Sequence, residues 1–281
     1  MRFVDYSTFY EDFHHVSPEY AARHARELGF DAVEFLEIVP LRKTSPLFRY
    51  SAGEIREILE AQGLTVSCFS VAVDLCRATR EVMETMDFLI TYAAALGSPR
   101  FHHTLVPGLS RADVTEPYES VFEAVYPNAV RIANLCCANG MVCLYEPQGL
   151  YFNGVEGLGR FYERIRLECS NVGICGDVAN GLFADTPVNE IYDRFIGDIK
   201  HVHIKDYRMS DAPEGISKAL MSAGGKYLYE CPIGTGVTDF FYCFEKLKAA
   251  GYDGDISFEF ASEDPEVRRA MEFVRRLLGK E

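Results

Sequence analysis

The chain is short of positive charge. Its 281 residues carry 28 Lys and Arg against 42 Asp and Glu, a formal net charge of -14. Sequence-independent nucleic-acid binding draws on basic surface to displace counterions, so no nucleic-acid partner is expected. The acidity also serves solubility. No apolar run approaches the roughly 18 residues that suggest a membrane helix, so no membrane partner is expected either. The opening MRFVDYSTFYEDF lacks a charged-then-apolar leader, which points away from secretion. The nine cysteines include no CxxC pair, which argues against a zinc ribbon or a thioredoxin-like motif. Most lie in apolar runs, as Cys68, Cys143 and Cys175 do, and read as reduced core residues of a cytoplasmic protein. No linker or low-complexity stretch interrupts residues 1–281, so a single domain is expected.

What the chain does have is alternation. Short β-branched or aromatic runs fall near 2–6, 31–36, 64–72, 99–104, 141–146, 172–177, 199–204 and 255–260. Amphipathic runs with three-to-four spacing fall near 18–28, 52–62, 80–96, 117–139, 155–168, 187–196, 238–250 and 264–278. Gly29, Gly63, Gly97, Gly140 and Gly251 each follow a helical run and precede a strand, as helix C-terminal caps do. Ser17-Pro18 and Asp264-Pro265 suit helix starts. Eight strand–helix units in about 250 residues predict an α/β fold, a (β/α)8 TIM barrel. The rival is a doubly wound open sheet. It would want a glycine-rich phosphate loop after its first strand, and DYSTFYEDF is not one. The regularity breaks once, at a long insertion over 207–236, which reads as a lid or binding loop.

In such a barrel the active site is built at the C-terminal strand ends. The last polar residue of four consecutive strands is Glu146 (LYEPQG), Asp177 (ICGDVAN), His203 (HVHIKD) and Glu259 (SFEFAS). Each follows apolar residues, where an unpaired charge is costly to bury. Three carboxylates converging on one mouth repel unless a cation sits between them. A divalent ion meets that need. Oxygen ligands with one imidazole suit Mn2+, Mg2+ or Fe2+, with Zn2+ or Co2+ also compatible. Taken singly, each residue has a plainer reading as a loop anchor or a solvent-facing charge. Alternation puts His201 and His203 on one side of their strand. His203 is nearer the mouth and is the expected ligand. His201 is expected to be a hydrogen-bonded interior histidine. His102 or His103 could touch substrate. Glu34, in DAVEFLEI, could hydrogen-bond inside the mouth. Asn180 and Arg208 could hold substrate oxygens. Arg208, Lys218 and Lys226 could hold a phosphate, although loop cations are commonly just solvated.

Together, DAVEF, YEPQG, GDVAN, HVHIKD and IGTGVTDFFYCFEKLKAAGYDGDISFE resemble the xylose-isomerase-like TIM-barrel superfamily. The resemblance spans essentially the whole chain and is specific for the superfamily, not for a substrate. It implies that Glu146, Asp177, His203 and Glu259 hold one divalent metal, often manganese. It also implies that Glu146 and Glu259 are the catalytic acid/base pair of a keto-sugar isomerase or epimerase. The expected partner is then a small-molecule carbohydrate; assembly into a homo-oligomer stays open. Many of the ketose epimerases carry a histidine three residues after the aspartate ligand, where this chain has Asn180. That leaves room for a metal-dependent lyase of the inosose dehydratase kind, or one eliminating from an oxidised sugar or glycoside. An apurinic endonuclease would need more histidines and a basic face. A non-catalytic sugar-binding barrel would lack a ligand or acid/base residue, and all four positions are filled.

Overall fold

The computed structural model describes residues 1–109, 114–215, 219–260 and 262–279. Seven parallel strands come first: β1 (Arg2–Asp5), β2 (Ala32–Ile38), β3 (Thr65–Ala72), β4 (Arg100–His103), β5 (Val142–Tyr145), β6 (Val172–Cys175) and β7 (Ile199–Ile204). The chain then leaves the barrel as β8 (Tyr207–Ser210), β9 (Leu220–Met221) and β10 (Tyr227–Glu230), and returns as β11 (Asp255–Phe258). β11 pairs with both β7 and β1 and closes the ring.

Helices wrap the outside: α1 (Ser7–His15), α2 (Pro18–Leu28), α3 (Ala52–Ala61), α4 (Arg80–Leu96), α5 (Tyr118–Ala138), α6 (Gly154–Ile165), α7 (Val188–Phe195), α8 (Phe240–Ala249) and α9 (Asp264–Leu277). Their ends follow local chemistry. Ser17 caps α2 by accepting from the Tyr20 amide, with Pro18 in the first turn. Gly29 and Gly97 follow α2 and α4 at φ 101° and 84°, a left-handed conformation glycine adopts at little cost. Among the described residues no helix is long and apolar enough to cross a membrane.

The outward strand residues, such as Phe35, Phe69, Phe101 and Ile256, are buried in the large apolar layer that the helices cover. The lumen differs. Its small apolar cluster is Cys68, Leu144 and Cys175, and it also holds buried Glu34, Ser70, His102, His201, His203 and Ser257. Barrels of this type usually fill the lumen with branched apolar residues. Here polar groups run up its length.

Two parts depart from expectation. Helix α1 was not predicted; Phe9 and Phe13 bury its inner face against Phe35. The insertion after β7 is an antiparallel sheet of order β8-β10-β9, not an irregular loop. Buried Asp206 ties its two ends together, accepting from the amides of Tyr207 and Thr238 on Oδ1 and of Gly234 and Gly236 on Oδ2. The turn after β9 is pinned to the loop beyond β6: the Ala223 amide donates to Phe183 carbonyl at 2.7 Å, and Ser222 Oγ donates to Asp185 at 2.6 Å. The flap is therefore anchored to the segment that follows Asp177.

Candidate functional site

Alternation along parallel strands delivers the four candidates to one place. Glu146 and Glu259 are the first residues past β5 and β11, Asp177 lies two past β6, and His203 is in β7 opposite Ser257. One ligand atom from each of Glu146, Asp177, His203 and Glu259 lies within 4.8 Å of the others. Donors at about 2.1–2.3 Å from one divalent ion sit up to roughly 4.5 Å apart, so the spacing suits such an ion. His203 turns Nδ1 toward Glu146 Oε1 at 2.8 Å and Glu259 Oε2 at 3.1 Å. Tyr6, just past β1, stacks on the imidazole at 5.2 Å between ring centroids. Asp177 also organises its own loop, accepting from the Ala179 and Asn180 amides on Oδ1.

One residue of the cluster was not anticipated. Lys205 Nζ lies 2.9 Å from Asp177 Oδ2 and 2.7 Å from Glu259 Oε2, with the lysine buried. Its signal was in the sequence: His201, His203 and Lys205 share one side of an extended run. Burial opposes the lysine charge, but Asp177 and Glu259 raise its pKa well above the usual value. Burial likewise opposes an imidazolium at His203, yet Cys175, Glu34 and Glu146 hold its pKa well above 6.5. Two cationic side chains thus face three carboxylates, where a divalent ion would bring the same charge. The carboxylates divide. Burial lifts Glu146 to about 7, against the pull of His203. At Glu259 burial is outweighed by Lys205 and His203, and its pKa falls to about 2.

The remaining sequence candidates scatter. His102 points inward, its Nε2 at 3.7 Å from Glu146 Oε2. His103 points outward, edge-on to Tyr145 at 5.3 Å and bonded through Nδ1 to the Thr104 carbonyl, so it does not reach the mouth. Asn180 is buried beside Asp177, with its Nδ2 unpartnered. Glu34 lies beneath the set, with no exposed surface and both oxygens engaged by interior side chains, so it is not at the mouth as expected. Arg208 is on β8, paired with Glu214 at 2.9 Å. Lys226 is paired with Asp211. Lys218 lies outside the described residues.

A cavity of about 270 Å³ opens above the cluster, lined among others by Tyr10, Glu11, Lys205, Tyr207, Glu230 and Glu259. Beneath and beside it, His102 Nε2 and Asn180 Nδ2 are buried without a hydrogen-bond partner, and Asp177 Oδ2 meets only the Lys205 ammonium. Buried polar atoms in this state are rare and costly. An oxygen-rich ligand above the carboxylates would satisfy both nitrogens, and a divalent ion could take the place of the ammonium at Asp177 Oδ2. The donor set therefore fits a divalent ion, as the sequence suggested.

The chain is 24% identical over 234 residues to an inosose dehydratase of Yersinia enterocolitica, covering 78% of this chain and 77% of that protein. It is 26% identical over 258 residues to a 2-oxo-tetronate isomerase of Cupriavidus necator, covering 83% and 82%. A xylose isomerase-like TIM barrel protein from Mycobacterium smegmatis, solved in complex with magnesium, superposes at a TM-score of 0.71 with 16% identity over 99% of this chain and 96% of that one. A family model described as xylose isomerase-like TIM barrel matches residues 22–277. With its closed eight-stranded parallel barrel, the chain belongs to that family.

Proposed function

We propose that the protein is a divalent-metal-dependent isomerase or epimerase. Its substrate is a keto-sugar or related polyol ketone, and it acts by proton abstraction next to the carbonyl, through an enediolate. The observation that carries this reading is the convergence of Glu146, Asp177, His203 and Glu259 beside a cavity that Glu259 and Lys205 line. A divalent ion held by those four, most simply Mn2+, supplies the Lewis acidity that makes the C–H beside a ketone removable. Glu259, ionised beside Lys205, is the member of the pair without a proton and so the one placed to take one. Glu146, lifted to about 7 by burial, is suited to return one. Return to the same carbon from the other face gives an epimer; return to the neighbouring carbon gives aldose–ketose isomerisation. The bare His102 Nε2 can accept from a substrate hydroxyl, and Asn180 Nδ2 can donate to a substrate oxygen.

A second reading, a metal-dependent lyase, is favoured by Asn180 and Lys205. Asn180 stands where a ketose epimerase would often carry histidine. The Lys205 ammonium beside Glu259 offers a proton to a departing β-hydroxyl. Metal analysis and incubation with ketoses, inososes and oxidised glycosides in deuterated water test both. Exchange into an isomerised or epimerised product supports the first reading; loss of water or an aglycone, seen by mass spectrometry, supports the second. Glu146→Gln and Glu259→Gln should each abolish turnover. No exchange with any of these substrates would overturn both readings.

A further inference from the structure

Beneath the four-residue set lies a group that the proposed chemistry leaves unused. Glu34, on β2, has no exposed surface. Its Oε1 takes Ser70 Oγ at 2.5 Å and His203 Nε2 at 3.0 Å. Its Oε2 takes His201 Nε2 at 2.7 Å and Ser257 Oγ at 2.5 Å. These partners come from β3, β7 and β11. A buried carboxylate in a lumen usually filled by apolar residues is an expensive choice.

We infer that Glu34 is a positioning residue that sets which nitrogens the lumen histidines present, so that His203 keeps Nε2 for Glu34 and offers Nδ1 to the four-residue set, and His102 turns a bare Nε2 to the mouth. The ligand role of His203 rests on the metal reading above; the proton placement rests on hydrogen-bond geometry alone.

An ionised carboxylate can only accept, and has about four lone-pair sites. All four are taken here. The His203 and His201 Nε2 atoms must therefore carry protons, and both serine hydroxyls must point at Glu34. Four donors at 2.5–3.0 Å, two on each oxygen, match the acceptor capacity of an ionised carboxylate. With its hydroxyl proton committed to Glu34, Ser70 Oγ can only accept from His102 Nδ1, 3.0 Å away. That places the His102 proton on Nδ1. A second proton on the buried Nε2 would have no acceptor within hydrogen-bond reach, so the geometry gives the ring only one. Its bare Nε2 then faces Glu146 with no hydrogen-bond partner. For His203, a proton fixed on Nε2 leaves Nδ1 as the nitrogen able to bind a cation among Glu146, Asp177 and Glu259. A carboxylate that fixes the tautomer of a ligating histidine in this way is worth 10–100-fold in metal affinity.

The test uses the full chain, with long-range 1H–15N NMR of the histidines and Mn2+ titration by electron paramagnetic resonance. In the metal-free wild type, His203 Nε2 and His102 Nδ1 should be protonated and His102 Nε2 bare. With Zn2+ bound, His203 should coordinate through Nδ1. Glu34→Gln puts an amide donor against one of these imidazole N–H groups. It should mix the His203 tautomers and weaken Mn2+ binding by 10–100-fold. Ser70→Ala keeps the carboxylate and should release the His102 tautomer alone, which keeps the test open if Glu34→Gln does not fold. Mn2+ affinity within twofold of wild type in a folded Glu34→Gln, His203 ligating through Nε2, or an unchanged His102 pattern in Ser70→Ala would each overturn the inference. A wild type that binds no divalent ion yet shows these tautomers would sink the proposed function and support the proton placement.

Discussion

Replacing Lys205 by Met tests the charge balance at the barrel mouth most directly. Methionine keeps the length of the side chain and removes the ammonium from between Asp177 Oδ2 and Glu259 Oε2, 2.9 and 2.7 Å away. Removing one partner of a buried ion pair costs about 3–5 kcal/mol, because the other charge stays buried without compensation. For a chain of this size that corresponds to a fall in Tm of roughly 6–20 °C in metal-free buffer. The pH dependence has a definite sign. Lys205 holds the Glu259 pKa near 2. Without it, burial raises the folded pKa above the unfolded value of about 4.3. A raised carboxylate pKa is tolerated while the group is protonated and destabilises as pH rises. The deficit should therefore be large at pH 8 and shrink toward pH 5. Ammonium and divalent ion compete for the same oxygens, so Mn2+ should raise the Tm of Lys205→Met by more than that of wild type. Circular dichroism melts at several pH values, with and without Mn2+, measure all of this. A metal-free Lys205→Met that melts within a degree of wild type at pH 8 would refute the reasoning.

Other predictions concern parts away from the chemistry. At the N-terminal end of the lumen Asp255 accepts from Arg2, Arg100 and Ser67, and although burial pushes the other way, these partners bring its pKa to about 2. From about 3.9 in the unfolded chain, that shift is worth roughly 2–3 kcal/mol, fully present above pH 4 and lost as pH falls toward 2; urea melts of wild type and Asp255→Asn should converge there, and a constant gap would contradict it. Asp206→Ala removes the acceptor of four backbone amides at the base of the flap, so hydrogen exchange should speed at least tenfold in residues 227–238 and hardly at all in β2 or β3. Gly236→Ala should loosen the same segment, because a Cβ there would lie 2.4 Å from the Tyr207 carbonyl oxygen and crowd Asp206; a wild-type melt with unchanged exchange would argue against that anchor.

The barrel strands were legible because each is a short apolar run with a helix-capping glycine or turn before it. All eight predicted runs overlap observed barrel strands. Within HVHIKD, period-two alternation separates the lumen side from the helix side, and carried two residues further it would have found Lys205. The same rule resolves His102 from His103, which adjacent histidines in a sequence cannot do until the register is known. Glu34 was misplaced for a different reason. Its serine partners lie 36 and 223 residues away, and its histidine partners 167 and 169, so nothing local marks it as saturated. Helix α1 carried a helical spacing in Phe9 and Phe13, but nine residues give little periodicity to read. The flap strands are two to four residues long, and their pairing is set by Asp206 and Asp185, not by an apolar pattern.

The lumen itself argues for where function lies, independently of any relative. Its charged groups form three tiers that differ in how exchangeable their partners are. At the bottom Asp255 is held by two guanidiniums, which cannot lose their charge and match a carboxylate through several bonds. In the middle Glu34 is saturated by two hydroxyls and two imidazoles, with no site left for a ligand. At the top three carboxylates face one histidine, itself a candidate ligand, and one lysine, a single-point cation that another ion can displace. That tier borders a cavity, and the unpartnered His102 Nε2 and Asn180 Nδ2 lie beside its carboxylates. Each of the two lower tiers satisfies its carboxylate with its own partners, and the middle one also holds His203 of the upper tier in place. The upper tier is left with charges that a metal and a substrate can claim.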